Sequence, residues 1–456
     1  MNRREFLKAS AVMAAGAAVP VSSSVAAEAV APAEAAPSKL IISAPMLQNH
    51  AETSVGVAFA VSAMANGFVE YSLSPEMTDP VLVKCGGYRV TDMNDKIMLV
   101  RLRGLKPATR YYYRIGADRI SYKGGYAMKR IGTETDPRVY SFTTAGEKAA
   151  GHFAVINDTH AQWASFAKVL AKIDEVDPPC VVWNGDATNC EETIDRHVKI
   201  FLDPDVERKD YASCRPYSLA IGNHEFRGMA GRHLERAWMY RDAEERPSRD
   251  WDLGRNFAVR QGDIAMIGLD TAEDKLDSRD VFAGLFCSEP YREAQAKWLA
   301  DVLERPDIKS APYLVAFCHI PLYDPRPDAN PGDLRPNDKA PGYKSDYASW
   351  QRTCAQLWGP LLNRAGCQAV IAAHQHCYRY DAPAGGRKWA QIVGGGPECG
   401  KAHRWDGKKV VKVSDDSRFP TVIEGKVENG ALRIIVHNAF LGTVAGDFTF
   451  APRKLG

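Results

Sequence analysis

The stretch His152-Phe153-Ala154-Val155-Ile156-Asn157-Asp158-Thr159-His160 decides how this chain is read. Its first five residues read as a buried strand. Its last three place a carboxylate, a hydroxyl and an imidazole on the turn that must follow. The pattern returns four times. Cys180-Val181-Val182-Trp183 leads into Gly185-Asp186, and Tyr217-Ser218-Leu219-Ala220-Ile221 leads into Gly222-Asn223-His224-Glu225. Tyr313-Leu314-Val315-Ala316-Phe317 leads into His319, and Ala369-Val370-Ile371-Ala372 leads into His374-Gln375-His376. Five of the chain's 11 histidines fall on the turns that follow these strands. Carboxylate, carboxamide and imidazole are hard or borderline ligands, so the pattern suggests two metal ions at strand ends and hydrolysis of phosphate esters.

Helix-like runs separate the strands: Ala161 to Glu175, Gln295 to Glu304 and Ser349 to Ala365. Asn256 to Arg260 and Ile264 to Asp270 read as a hairpin, and Thr421 to Val427 and Leu432 to Val436 as late strands. Alternating β and α elements predict a largely buried sheet with helices on its faces. In such sheets ligands gather at the carboxyl ends of the strands, which is where every candidate sits.

Before this region the pattern differs. Leu40-Ile41-Ile42, Val55-Gly56-Val57-Ala58-Phe59, Phe68-Val69-Glu70-Tyr71, Val81-Leu82-Val83 and Ile97-Met98-Leu99-Val100 are short runs parted by turn residues. That spacing predicts a β-sandwich. Val139 to Thr144 reads as its last strand, and Ala145 to Lys148 as a linker. No ligand cluster lies here, so the expected role is to pack against the second domain and shape one wall of its cleft.

At the start, Arg3-Arg4-Glu5-Phe6-Leu7-Lys8 precedes a mildly apolar stretch from Ala9 to Val21 and an Ala/Ser/Pro/Glu-rich tail. This resembles a bacterial twin-arginine signal, with cleavage expected near Ala27 or Ala29. The expected division is a signal and leader over 1–37, a sandwich over 38–146 and an α/β domain over 150–456. At 456 residues the chain suits two domains. A formal charge of +2 gives no reason to expect nucleic-acid binding, and past the leader no apolar run is long enough to span a membrane. Ten cysteines in an exported chain permit disulfides without fixing their pairing, and none forms a C-x-x-C zinc signature. Cys318 and Cys377 flank His319 and His376, and both are expected to act as small buried hydrophobes.

The series Asp-x-His, Gly-Asp, Gly-Asn-His-Glu, His and His-x-His, in this order, resembles the calcineurin-like metallophosphoesterases. Leu105-Lys106-Pro107-Ala108-Thr109-Arg110-Tyr111-Tyr112-Tyr113 resembles a fibronectin type III strand. Together they are similar to bacterial relatives of the purple acid phosphatases. The implied fold is a four-layer β-sandwich flanked by helices, preceded by an all-β immunoglobulin or fibronectin III-like domain. The implied ligands are Asp158, His160 and His376 for one ion and Asn223, His319 and His374 for the other, with Asp186 bridging. The implied cofactors are two ions drawn from Fe, Zn, Mn or Mg. The implied reaction is attack of a metal-bound hydroxide on a phosphate monoester; the leaving alkoxide then needs a proton, and His224, beside Asn223, is the candidate general acid. Phosphodiesters of the nucleotide or lipid head-group type are the alternative substrate. A non-catalytic extracytoplasmic binding protein is the alternative class.

Two positions depart from the purple enzymes. Asn189 stands where their tyrosine ligand gives ferric colour, so a colourless protein is expected. Ala373 replaces the usual glycine before His-x-His. Glu225 is expected either to orient His224 or to cap a turn. Among the arginines Arg227, Arg232, Arg236, Arg241, Arg246, Arg249 and Arg255 some could reach substrate phosphate, but with acids interleaved the stretch reads as a solvated surface, and His233 as no ligand. Asp324 to Tyr347, aperiodic and rich in Pro and Gly, reads either as a lid that turns Tyr323, Tyr343 or Lys344 to the cleft or as a disordered surface insertion. Gly394-Gly395-Gly396 reads as a tight turn near the site, with His403 and Trp405 close by. His50, His152, His197 and His437 read as structural or exposed.

Overall fold

Alternation of side chains sorts the buried strands into layers. In His152–Ile156, Phe153 and Val155 enter one hydrophobic core while Ala154 and Ile156 enter a second. In Val181–Trp183, Val182 joins the first core and Val181 and Trp183 the second. In Tyr313–Cys318, Tyr313, Val315 and Phe317 join the first core, and Leu314, Ala316 and Cys318 a third. A strand buried on both faces has no polar side to show, which is why these runs are uniformly apolar in the sequence.

The computed structural model describes residues 39–85, 95–240, 253–323, 343–405 and 410–454. The first core lies between two sheets. One has nine strands, in the order Thr443–Phe450, Ala431–Asn438, Thr421–Glu428, His152–Ile156, Val181–Trp183, Tyr217–Leu219, Met46–Gln48, Val55–Ala60 and Ile97–Leu102. The other has six: Phe257–Gln261, Ile264–Leu269, Tyr313–Cys318, Ala369–Ala372, Ala390–Val393 and Arg379–Asp381. Parallel pairing joins His152–Ile156, Val181–Trp183 and Tyr217–Leu219. It also joins Ile264–Leu269, Tyr313–Cys318, Ala369–Ala372 and Ala390–Val393.

Helices cover the outer faces. Trp163–Val176 buries Phe166, Val169, Leu170 and Ile173, a one-sided stripe at helical spacing, in the second core. It ends at Asp177, whose φ of 46° is left-handed and stops the helix. Ser288–Leu303 and Tyr343–Arg364 close the third core with Leu299, Val302, Cys354, Trp358 and Leu362. The layers run helix, sheet, sheet, helix, the four-layer arrangement that the resemblance implies.

The N-terminal strands make an antiparallel sheet in the order Val81–Lys84, Ala65–Ser72, Arg110–Tyr122 and Met128–Thr135, with Tyr140–Thr143 pairing on Arg110–Tyr122. Val69, Tyr113, Ile115 and Phe142 from this sheet share a core with Leu47, Val57, Phe59 and Val100 from the nine-stranded sheet. The sandwich therefore has one of its two sheets in common with the C-terminal half. Gln48 pairs in parallel with Tyr217 at the join. The Tyr111 hydroxyl accepts the Lys106 N–H at 2.9 Å, and the buried Tyr113 hydroxyl donates to the Ser213 carbonyl at 2.7 Å. Among the described residues no disulfide forms. Cys318 is a buried member of the third core whose thiol is pushed well above its usual range by burial.

Tyr113→Phe should lower stability by about 1–2 kcal/mol, because it removes a buried hydrogen bond and strands the Ser213 carbonyl. Urea unfolding of the two proteins measures this. An unchanged midpoint would show that the tether contributes nothing.

Candidate metal centre

The five loops leave the carboxyl ends of their strands and turn sharply. Asp158, His160, Asp186, His374 and His376 have φ values of 45°, 47°, 51°, 68° and 53°. Left-handed backbone costs a residue with a Cβ roughly 1–2 kcal/mol, and clusters of it mark functional sites. Glycines make the space. At Gly185 a Cβ would lie 2.5 Å from His319 Nδ1 and 2.7 Å from the Gly222 backbone. At Gly396 it would lie 2.7 Å from His376 Cγ and 3.0 Å from Asp158 Cβ. The tight turn expected at Gly394 to Gly396 is thus a close approach to the site.

All eight residues singled out in the sequence meet here. The Nδ1 atoms are tied outward: His160 to the Thr188 carbonyl at 3.1 Å, His319 to the Asn184 carbonyl at 2.8 Å, His376 to Glu398 Oε2 at 3.1 Å. An Nδ1–H held by an oxygen leaves Nε2 as the free lone pair, the usual tautomer of a metal-binding histidine. These three Nε2 atoms surround Asp158 Oδ1 at 3.9, 3.8 and 3.5 Å respectively. Among the described residues the buried Asp158 Oδ1 has no hydrogen-bond partner, and the buried His319 Nε2 lies 3.1 Å from Asp186 Oδ2. The other oxygen, Oδ2, accepts from Asn157 Nδ2 at 2.7 Å and from the His374 N–H at 3.0 Å.

Among the described residues, three groups each bring their ligand atoms within 4.8 Å of one another: Asp158, His160 and His376; His160, Asp186 and His224; Asp186, His319 and His374. Asp186 belongs to two of them. Asn223 joins the third through His374, its Oδ1 lying 3.1 Å from Nδ1. This donor set of imidazole, carboxylate and carboxamide fits divalent or trivalent metal ions.

The electrostatics agree. Burial would raise the Asp186 carboxyl, but the imidazoles of His319, His224 and His160 hold it well below the usual range. Burial would lower His319, but Asp186 and Asp158 push it up to about 10. The field at that nitrogen calls for a positive charge, the condition a metal ion meets. His374, buried and farther from that attraction, is pushed down to about 4.

Four features escaped the sequence reading. Glu225 does not touch the His224 ring and is not a simple turn cap. Its Oε2 accepts the N–H groups of Asp186 at 3.0 Å and Gly222 at 2.7 Å, and its Oε1 that of Ala187 at 2.7 Å. One carboxylate thus pins the Asp186 loop to the Asn223 loop. The Asn189 carbonyl takes His224 Nδ1 at 2.8 Å. Arg227 is no surface arginine: it grips Glu273 at 3.1 and 2.8 Å and sets Nη1 3.0 Å from His224 Nε2. Asp274 brings Oδ2 within 3.9 Å of His374 Nε2. The signal for this last loop was present, since Asp270-Thr271-Ala272-Glu273-Asp274-Lys275 follows the apolar strand Ile264–Leu269.

The remaining expectations divide. Arg255 packs on the Phe226 ring at 4.7 Å, while Arg232 and Arg236 are exposed. His233 lies in none of the ligand groups. His152 and His437 both hold Glu424, at 3.1 and 3.0 Å. His50 meets Gln261 at 3.2 Å, and His197 lies 3.4 Å from Glu191. The leader over 1–37, Arg241, Arg246, Arg249, residues 324–342 of the expected lid, and the side chains of Tyr343, Lys344, His403 and Trp405 lie outside the described residues.

Comparison with known proteins narrows the reading. The sequence model of the calcineurin-like phosphoesterase family matches residues 151–378. That of the twin-arginine signal matches residues 1–20, so the leader directs export by that route. Purple acid phosphatase 21 of Arabidopsis thaliana is 25% identical over 356 residues, which cover 75% of this chain and 66% of that protein. This chain therefore spans just under two thirds of that relative. Purple acid phosphatase PPD1 from yellow lupin (Lupinus luteus) seeds superposes with a TM-score of 0.60 at 14% identity, over 90% of this chain and 74% of the lupin one. PhoD superposes with a TM-score of 0.54 at 13% identity, over 90% of this chain and 92% of its own. No described helix is long and apolar enough to cross a membrane.

Glu225→Gln should weaken metal affinity about 10- to 100-fold, because an amide nitrogen would face backbone N–H groups and let the two loops drift. Isothermal titration of the apo protein with Zn or Mn reads the change, with circular dichroism as the check on folding. A folded variant with unaltered affinity would refute the clamp.

Proposed function

The chain belongs to the calcineurin-like phosphoesterase family, and from that premise we propose that it is an exported two-metal enzyme that hydrolyses phosphate monoesters. The observation that carries the reading is the convergence of three imidazole Nε2 atoms on the buried Asp158 Oδ1, beside an Asp186 common to two ligand groups. In this reading Asp158, His160 and His376 hold one ion. Asn223, His319 and His374 hold the other, and Asp186 serves both. Two such ions, drawn from Fe, Zn, Mn or Mg, would supply an acidified water and neutralise charge on the phosphoryl oxygens.

The chain's own groups do the rest. The Asn189 carbonyl fixes the His224 ring so that Nε2 faces the ligand groups, 3.8 Å from Asp186 Oδ2. That places His224 to pass a proton to the leaving oxygen. Glu398 and the Thr188 and Asn184 carbonyls keep the imidazoles in register. The chemistry belongs to the segment 150–456, with 38–146 as its supporting sandwich. The likeness in name to two acid phosphatases favours the monoester over the diester.

The test is hydrolysis of p-nitrophenyl phosphate and bis(p-nitrophenyl) phosphate by the full protein, as isolated, after chelation, and after re-addition of each metal. We expect the monoester to turn over faster, chelation to stop it and a metal to restore it. Asp186→Ala should abolish binding of both ions, and His224→Ala should slow turnover about 100-fold with metal content unchanged. Faster diester turnover would reverse the substrate assignment. Turnover indifferent to chelation would remove the two-metal reading altogether.

A further inference from the structure

Within the phosphoesterase reading just given, we infer that Arg227 is a substrate-binding residue that selects monoesters over diesters. Its guanidinium is a fixed cation. Nε and Nη2 are taken by Glu273 at 3.1 and 2.8 Å, and that carboxylate is only 1% exposed. The planar fork cannot swing while both bonds hold. Nη1 is left pointing at the centre, 3.0 Å from His224 Nε2, which in turn lies 3.8 Å from Asp186 Oδ2. Its neighbour Lys275 is differently placed, with Nζ 2.5 Å from Asp274 and 3.6 Å from Glu273.

The chemistry of the ester decides what Nη1 can read. A phosphate monoester dianion has three unesterified oxygens that share two charges. A diester has two that share one. Two ions, where bound, would take up two of these oxygens and leave the monoester a third charged oxygen in need of a donor. In a diester that position holds a second ester oxygen, which is uncharged, weakly accepting and extended by a substituent. A preset guanidinium therefore stabilises the monoester and offers the diester nothing, and being largely buried it is weakly screened.

The test uses the metal-loaded full protein and compares kcat/KM on the two nitrophenyl esters. Arg227→Met should lose about 100-fold on the monoester and less than about threefold on the diester. Arg227→Lys should fall between, since an ammonium keeps the charge and loses the fork. Arg227→Met alone strands the buried Glu273, so the double variant R227M/E273Q removes both charges and should show the same selective loss. Millimolar guanidinium should restore part of the monoester rate to the arginine-free variants. Equal losses on both esters in the folded double variant, or no loss on either, would overturn the inference. Wild-type protein inactive on both esters under every metal would instead sink the phosphoesterase reading beneath it.

Discussion

Asp158 and Asp186 are buried with their carboxylates facing the same imidazole, His319, at 3.8 and 3.1 Å. Buried carboxylates cost several kcal/mol each unless charge and hydrogen bonds surround them. Much of the local structure supplies that surround. Asn157 and the His374 N–H satisfy one oxygen of Asp158, and the His224 N–H satisfies one of Asp186 at 3.0 Å. The imidazoles ring what remains.

Holding that arrangement requires backbone strain. Five of the converging side chains sit in left-handed turns, which a free loop would relax. Here they cannot relax, because each turn is the end of a strand locked between two cores. Asn184 shows how closely the sheets are coupled at this edge: its Nδ2 donates to the carbonyls of Cys318 and Ile371, both on the opposite sheet. The apolar layers thus offset strain that is stored where the chemistry is.

Much of this was legible in the sequence because it repeats one local sentence, an apolar run followed by a ligand. That sentence requires no knowledge of partners, and it located Asp158, Asp186, Asn223, His319 and His374 together. What stayed hidden depends on pairings set by topology. Arg227 looked like one of several surface arginines until Glu273, 46 residues on, came to meet it. Glu225 was read by its neighbours in sequence, whereas it acts on Asp186 across the site, 39 residues away. His152 and His437 share Glu424 because three strands lie side by side. The common sheet was hidden too, since Met46–Gln48 is only three residues long and gives no sign of a parallel partner far down the chain.

The long-range bonds at the centre also set an order of events. Asn157 reaches the Gly395 carbonyl across 238 residues, and the His374 N–H reaches Asp158 across 216. Contacts of such separation form late, after the loop between them has been closed. During synthesis the pocket is absent until the segment carrying Glu398 has emerged, so a nascent chain offers isolated ligands and no cage. A twin-arginine leader sits at the opposite end of the chain from the last piece of that cage. The address is therefore written long before the cargo is complete, and the interval between the two is set by the topology of the sheets.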